Sequence, residues 1–250
     1  MKVVLICDNR PYAEGLMTSW GLSVGLLGAD GWTLFDLGNS PDVFLHNFTA
    51  LGGDLKSVKR IILSHLHHDH SGGLEAFRDV GRAIPLYLPE RIPGDEVGLL
   101  ESWGLRVSYV PVSGVQFGDL WILPMPQGSP PEQLIVLETG QGIALLTGCA
   151  HFGIENGMAE VWRRFHRPFD LVCGGFHFAF RSPTALEETL RLMDSLPIVR
   201  IAPCHCTGDE AIEVFARTFP KRFLRVGTGW SLSLGGTVKQ DGTKTEVSFQ

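Results

Sequence analysis

Two stretches restrict the fold of this 250-residue chain more than any other feature. "LSVGLLGADGWTLFDLG" and "LIVLETGQGIALLTGC" each hold two apolar runs around a tight glycine-containing turn, the pattern of a β-hairpin. The first is expected to turn at Asp30-Gly31, the second at Gly140 to Gly142. Hairpins join antiparallel strands with no crossover helix between them, so a doubly wound parallel sheet fits poorly.

Around the hairpins, strands and helices alternate. "KVVLIC" reads as a strand and "PDVFLHNFTALG" as a helix, with Pro41 near its start and Gly52 beyond its end. "RIILSH" is a short buried strand followed by a helix in "GGLEAFRDVG". "PLYLP" and "RVSYVPV" are strands flanking the helical "DEVGLLESWG". In the second half the helices "GMAEVWRRFH", "PTALEETLRLMDSL" and "GDEAIEVFARTF" interleave with the strands "DLVCGGFH" and "VRIAPCH". "FLRVGTGWSLSL" leads into a C-terminal hairpin through "GGTVKQDGTKTEVSF". The mixture predicts an α/β sandwich of two packed sheets covered by helices. No linker or low-complexity tract divides the chain, so residues 1–250 read as one domain. The middle region, about 89–132, is compact and rich in Pro and Gly, and is expected to shape a pocket as a lid.

A formal net charge of −6 argues against a nucleic-acid partner, which needs a basic footprint. No apolar run reaches membrane-spanning length, and the N-terminal run is followed by no cleavage pattern. The expected location is the cytoplasm, the expected partner a small-molecule substrate, with self-association left open. Cys7, Cys149, Cys173, Cys204 and Cys206 are odd in number and suit no disulfide scaffold. Most read as small buried hydrophobes, with Cys149 the exception.

Chemistry concentrates in "SHLHHDHSGG". His65, His67 and His70 can converge on one point after the strand "RIIL", with Asp69 among them. Neutral imidazoles and a carboxylate suit zinc, iron or manganese. His151, His177 and His205 each follow a predicted strand, where α/β folds commonly build sites. His46 and His166 lie in helical patterns and read as surface residues.

"SHLHHDHSGG" matches the HxHxDH motif of the metallo-β-lactamase superfamily, and "LFDLG", with Asp36, resembles that superfamily's first motif. "GLSVGLL", "LLTGCAHFGIEN", "GGFHF" and "APCHCTG" follow the order of one subfamily, that of dihydropterin–ribofuranosylaminobenzene phosphate synthase, and "CDN" at 7–9 resembles its N-terminal Asp-Asn. The resemblance implies a four-layer αββα sandwich holding one or two divalent metals, zinc first, with manganese or iron as alternatives. It implies that His65, His67 and His151 bind one metal and that Asp69, His70 and His205 bind another. Asp36 would orient a ligand histidine. A metal-bound hydroxide would attack, with Asp69 as ligand and proton partner. His177 would serve as general acid or phosphate contact, with a third-metal or bridging ligand or a structural role as alternatives, and His68 would line the pocket wall.

Two departures bear on the metals. "TGC" puts Cys149 where many relatives have a bridging aspartate, and no "HTxGH" segment precedes "EQLIVLE". Arg78, Arg82, Arg91 and Arg181 are weak candidates for anion contacts. The expected activity is metal-dependent hydrolysis of an ester, phosphoester or lactone. The alternative is a metal-dependent transferase like the subfamily's synthase, displacing pyrophosphate. An iron redox protein fits less well, because His67 stands where such relatives carry glutamate.

Overall fold

The computed structural model describes residues 1–235. The hairpin expected in "GGTVKQDGTKTEVSF" lies almost wholly outside the described residues.

The strands are β1 (Lys2–Cys7), β2 (Ser23–Gly28), β3 (Gly31–Phe35), β4 (Val58–Ile62), β5 (Ile84–Leu88), β6 (Leu105–Tyr109) and β7 (Val115–Phe117). They continue as β8 (Leu120–Met125), β9 (Glu132–Thr139), β10 (Gly142–Thr147), β11 (Phe169–Gly175), β12 (Ile201–Cys204) and β13 (Ser231–Ser233). The helices are α1 (Pro41–Ala50), a single turn α2 (His68–Ser71), α3 (Gly94–Ser102), α4 (Ile154–Phe165), α5 (Pro183–Ser195) and α6 (Asp209–Thr218). One sheet runs β13-β1-β2-β3-β4-β5-β6 and the other β12-β11-β10-β9-β8-β7.

Three apolar clusters show how these pieces stack. The central one joins Val3, Leu5, Val24 and Phe35 of the first sheet to Ile135, Leu146, Leu171 and Cys173 of the second. A second packs Val4, Ile6 and Leu34 against Phe44 and Phe48 of α1 and Leu100 of α3. The third packs Val136, Leu145 and Val172 against Met158 of α4, Met193 of α5 and Phe215 of α6. Alternate residues of β1 and β10 thus feed two different clusters, which explains why both read as unbroken apolar runs. The result is the four-layer αββα sandwich.

The hairpins are present, the first turning one residue earlier than expected and the second within the expected Gly140 to Gly142. Gly28 pairs with Gly31 across Ala29-Asp30, and Thr139 with Gly142 across Gly140-Gln141. α1 starts where Ser40 accepts the Val43 N–H, with Pro41 in its first turn. Two expectations need correction. "GGLEAFRDVG" forms only a 3₁₀ segment, Gly72–Phe77, because the chain must turn sharply after the histidine loop. Residues 89–132 are not a lid: they form α3, the edge strands β6 and β7, and β8 between β7 and β9, including a β7–β8 hairpin the sequence reading did not assign.

Parallel pairings β3–β4, β10–β11 and β11–β12 align several strand C-termini at one end of the sandwich. The Gln133 side chain ties the sheets there, its amide donating to Leu63 O at 2.7 Å and Tyr87 O at 3.1 Å.

Candidate metal centre

The loop after β4 is locked from β3. Asp36, fully buried, accepts from the Ser64 N–H at 2.6 Å and the Ser64 hydroxyl at 2.7 Å. Its Oδ2 also lies 2.7 Å from His70 Nδ1. A carboxylate on Nδ1 turns Nε2 of the same ring toward the site and makes the imidazole a stronger donor. Burial alone would lower the His70 pKa, but the Asp36 charge and hydrogen bond outweigh it and push it up to about 9.

Three imidazole nitrogens meet on one side. His65 Nε2 lies 3.0 Å from His67 Nδ1 and 3.2 Å from His151 Nε2. Burial and the neighbouring imidazoles hold the His65 pKa well below its ordinary value. The same causes lower His151 to about 4. Both rings are therefore neutral near pH 7, the form that ligates a metal.

The second group lies beside it. His205 Nε2 is 3.3 Å and His70 Nε2 3.8 Å from Asp69 Oδ2. Burial works against the Asp69 carboxylate, but His205 and His70 outweigh it and hold its pKa below the usual range. His205 is fixed by the N-terminal Asp-Asn: its N–H donates to Asp8 Oδ1 at 2.9 Å and its Nδ1 lies 3.1 Å from Asn9 Oδ1. Nε2 of His205 is buried with no hydrogen-bond partner. Such an orphaned nitrogen, aimed at a carboxylate and other imidazoles, is what a missing cation would satisfy.

Cys149 stands between the groups. Its Sγ is 3.2 Å from His70 Nε2, and its donor atom falls within 4.8 Å of both the His65/His151 and the His70/His205 pairs. That is the bridging position left by the absent aspartate. Gly148 beside it must lack a side chain, since a Cβ there would stand 2.0 Å from Ser64 Oγ. The donor set could therefore hold metal: donor atoms of His65 and His151 with Cys149, and of His70 and His205 with Cys149, lie within 4.8 Å of one another in each group, with His67 beside the first pair and Asp69 beside the second.

His177 follows β11 and lies with its ring centroid 4.3 Å from that of His151. It lines a cleft of about 340 Å³ with Trp20, His67, Asp69, Cys149, His151, Phe180 and Cys206. His68 is exposed and is not among the lining residues, so it is not a pocket wall. His46 and His166 are exposed, as expected. None of the four arginines lines the cleft. Arg181 pairs bidentately with Glu155, Arg82 donates to the Val58 carbonyl, Arg78 pairs with Glu75, and Arg91 stacks over Tyr109.

The sequence reading missed two residues. Glu132 is buried and accepts the N–H groups of Cys149, Ala150 and His151 at 2.8, 3.0 and 2.8 Å, holding that loop in place. Burial raises its pKa to about 7 against the pull of those three donors. Trp20 donates its indole N–H to Asp69 Oδ2 at 3.0 Å, with its ring 5.2 Å from that of His205. Neither carries a spacing signal in sequence.

A curated protein of Methanocaldococcus jannaschii, 7,8-dihydropterin-6-methyl-4-(β-D-ribofuranosyl)-aminobenzene-5′-phosphate synthase, is 23% identical over 88% of this chain and 90% of its own. The crystal structure of Tm1679, a metal-dependent hydrolase of the β-lactamase superfamily, superposes with a TM-score of 0.80 at 25% identity, covering 94% of this chain and all of that one. The metallo-β-lactamase fold protein YhfI from Bacillus subtilis gives 0.66 at 14% identity, covering 92% and 98%. The family model described as the metallo-β-lactamase superfamily matches residues 18–205, and with the HxHxDH loop, its Asp36 lock and the αββα layers in place, the chain belongs to that superfamily.

Proposed function

We propose that the chain is a metal-dependent hydrolase acting on an ester, phosphoester or lactone. The observation that carries this is the convergence of His65 Nε2, His67 Nδ1 and His151 Nε2 beside the Asp69, His70 and His205 group, with His67, Asp69 and His151 lining an open cleft. The 25% identity to Tm1679, described as a metal-dependent hydrolase, supports it. Divalent cations held by these residues, zinc first, supply acidification of water and stabilisation of the oxyanion formed on attack.

The protein's own groups do the rest. Asp69, kept ionised, is the carboxylate positioned to take the proton from the attacking water. Trp20 and Phe180 give the cleft two large, exposed aromatic faces, 49% and 67% accessible, against which the substrate's apolar part can pack. Asp36, Asn9 and Glu132 keep the histidines and the Cys149 loop in place without touching substrate. Among the described residues no helix is long and apolar enough to cross a membrane. Free thiols in the site suit the reducing cytoplasm, the location this reading assumes.

A second reading has one observation behind it, the match along most of the chain to a protein named as a synthase. It would use the same residues for group transfer. The test is a panel of aryl esters, phosphoesters and lactones with metal-loaded, chelated and His67→Ala protein. Turnover by the loaded protein alone supports hydrolysis. No turnover of any panel member, together with pyrophosphate release from a pterin pyrophosphate that requires an arylamine, replaces it with the transferase.

A further inference from the structure

The five cysteines are all free and buried, but they occupy two kinds of surroundings. Cys7, Cys173 and Cys204 belong to the apolar clusters. Cys149 and Cys206 belong to none, and both line the metal cleft together with His177. One donor atom from each of Cys149, His177 and Cys206 lies within 4.8 Å of the other two. Nitrogen and sulfur donors about 2.0–2.3 Å from one tetrahedral ion stand roughly 3.5–3.8 Å apart, so small side-chain rotations close the set.

Three further features mark this triad as built rather than incidental. Nδ1 of His177 is buried and has no hydrogen-bond partner. His177 holds a left-handed backbone at φ 61°, a conformation that costs a non-glycine residue on the order of 1 kcal/mol. Residue 175 is glycine, and a Cβ there would stand 2.4 Å from the Gly148 carbonyl oxygen and 2.6 Å from Cys206 Sγ, so the missing side chain lets the Cys149 loop and that sulfur come together.

We propose that Cys149, His177 and Cys206 form a third metal-binding site beside the two histidine sites, one that takes a soft or borderline divalent ion such as zinc or cadmium. Two thiolates and an imidazole favour such ions over magnesium or manganese, which prefer oxygen donors. Each thiol releases its proton to solvent as its sulfur–metal bond forms, so occupancy rises with pH. Cys149 can serve this ion and its neighbour at once, since its sulfur also lies 3.2 Å from His70 Nε2. With the ion bound, His177 is a ligand and not the proton donor expected from the sequence. The assignment does not depend on whether hydrolysis is the reaction.

Cadmium is the probe. Equilibrium dialysis counts bound ions, and thiolate-to-cadmium ultraviolet absorption reports sulfur ligation. The expected result is three cadmium ions for the reduced wild type and two for Cys206→Ser, whose thiolate absorption falls by about half. His177→Ala, at a partly buried position, also drops to two and answers the question should the serine variant fail to fold. His67→Ala loses an ion with the thiolate absorption intact, which separates failure of the histidine centre from failure of the thiolate site. Unchanged stoichiometry and absorption in both Cys206→Ser and His177→Ala would overturn the proposal.

Discussion

The two sheets contribute to the metal centre in opposite ways. The first sheet supplies its ligands from one six-residue stretch, His65 to His70, immediately after β4, and pins them with a single buried carboxylate, Asp36. The second sheet brings its site histidines, His151, His177 and His205, from beyond three separate strand ends, β10, β11 and β12. Each of those ends carries one non-glycine residue in the left-handed region: Ala150, His177 and His205. Two of the three are held by different partners, Glu132 for the Cys149–His151 loop and Asp8 with Asn9 for His205. A local ligand cluster needs one strong lock. A dispersed one needs several weaker locks, and each should fail more gently when removed.

Substitutions can break that contrast. Asp36→Asn should have the largest effect. Its amide oxygen can still accept the Ser64 N–H, but an NH2 group replaces Oδ2 against the Ser64 hydroxyl and His70 Nδ1, and the change is expected to weaken the second ion about 100-fold, at the upper end for residues that orient a ligand. Competition against a chelator measures this. Glu132→Gln comes next. Its amide cannot accept all three N–H groups of residues 149–151, so unfolding free energy should fall by about 1–3 kcal/mol in denaturant titration, with His151-dependent metal affinity falling too.

Asn9→Ala should be milder. It removes a neutral partner from His205 Nδ1 while Asp8 still holds the backbone N–H, and is expected to lower metal affinity about 10-fold. A loss equal to that of Asp36→Asn would erase the distinction between one strong lock and several weak ones. The smallest effect is expected at the Glu155–Arg181 pair, which links α4, after His151, to the segment after His177. Burial works against the Glu155 carboxylate, but Arg181 outweighs it and depresses its pKa in the folded protein. A depressed carboxylate contributes stability above its unfolded pKa and loses it as pH falls through the folded value. Glu155→Gln should therefore cost about 1 kcal/mol or less at pH 7 and flatten the acid limb of the stability profile.

The sequence was most informative where structure is local. The histidine loop and both hairpins could be read from spacing and apolar runs, because each depends on neighbours a few residues away, whereas the αββα layers and the role of Asp36, whose partners Ser64 and His70 lie 28 and 34 residues on, came from the family resemblance. The strand-end histidines 151, 177 and 205 were legible as a set only because parallel strands bring their C-termini to one edge. Glu132 and Trp20 were not legible. A single Glu in "SPPEQ" and a single Trp in a loop acquire meaning only from contacts 17–19 and 49 residues away in the chain. The β7–β8 hairpin escaped because Pro124 interrupts its pattern and β7 is short and at a sheet edge. The arginines misled because exposed guanidinium groups found nearby carboxylates, carbonyls or rings instead of the cleft.

Anomalous X-ray scattering from zinc-soaked crystals tests the central claim most directly. One peak is expected at the meeting point of His65 Nε2, His67 Nδ1 and His151 Nε2, and a second among Asp69, His70 and His205. A protein that binds zinc with no peak within coordination distance of His67 and His151 would contradict it.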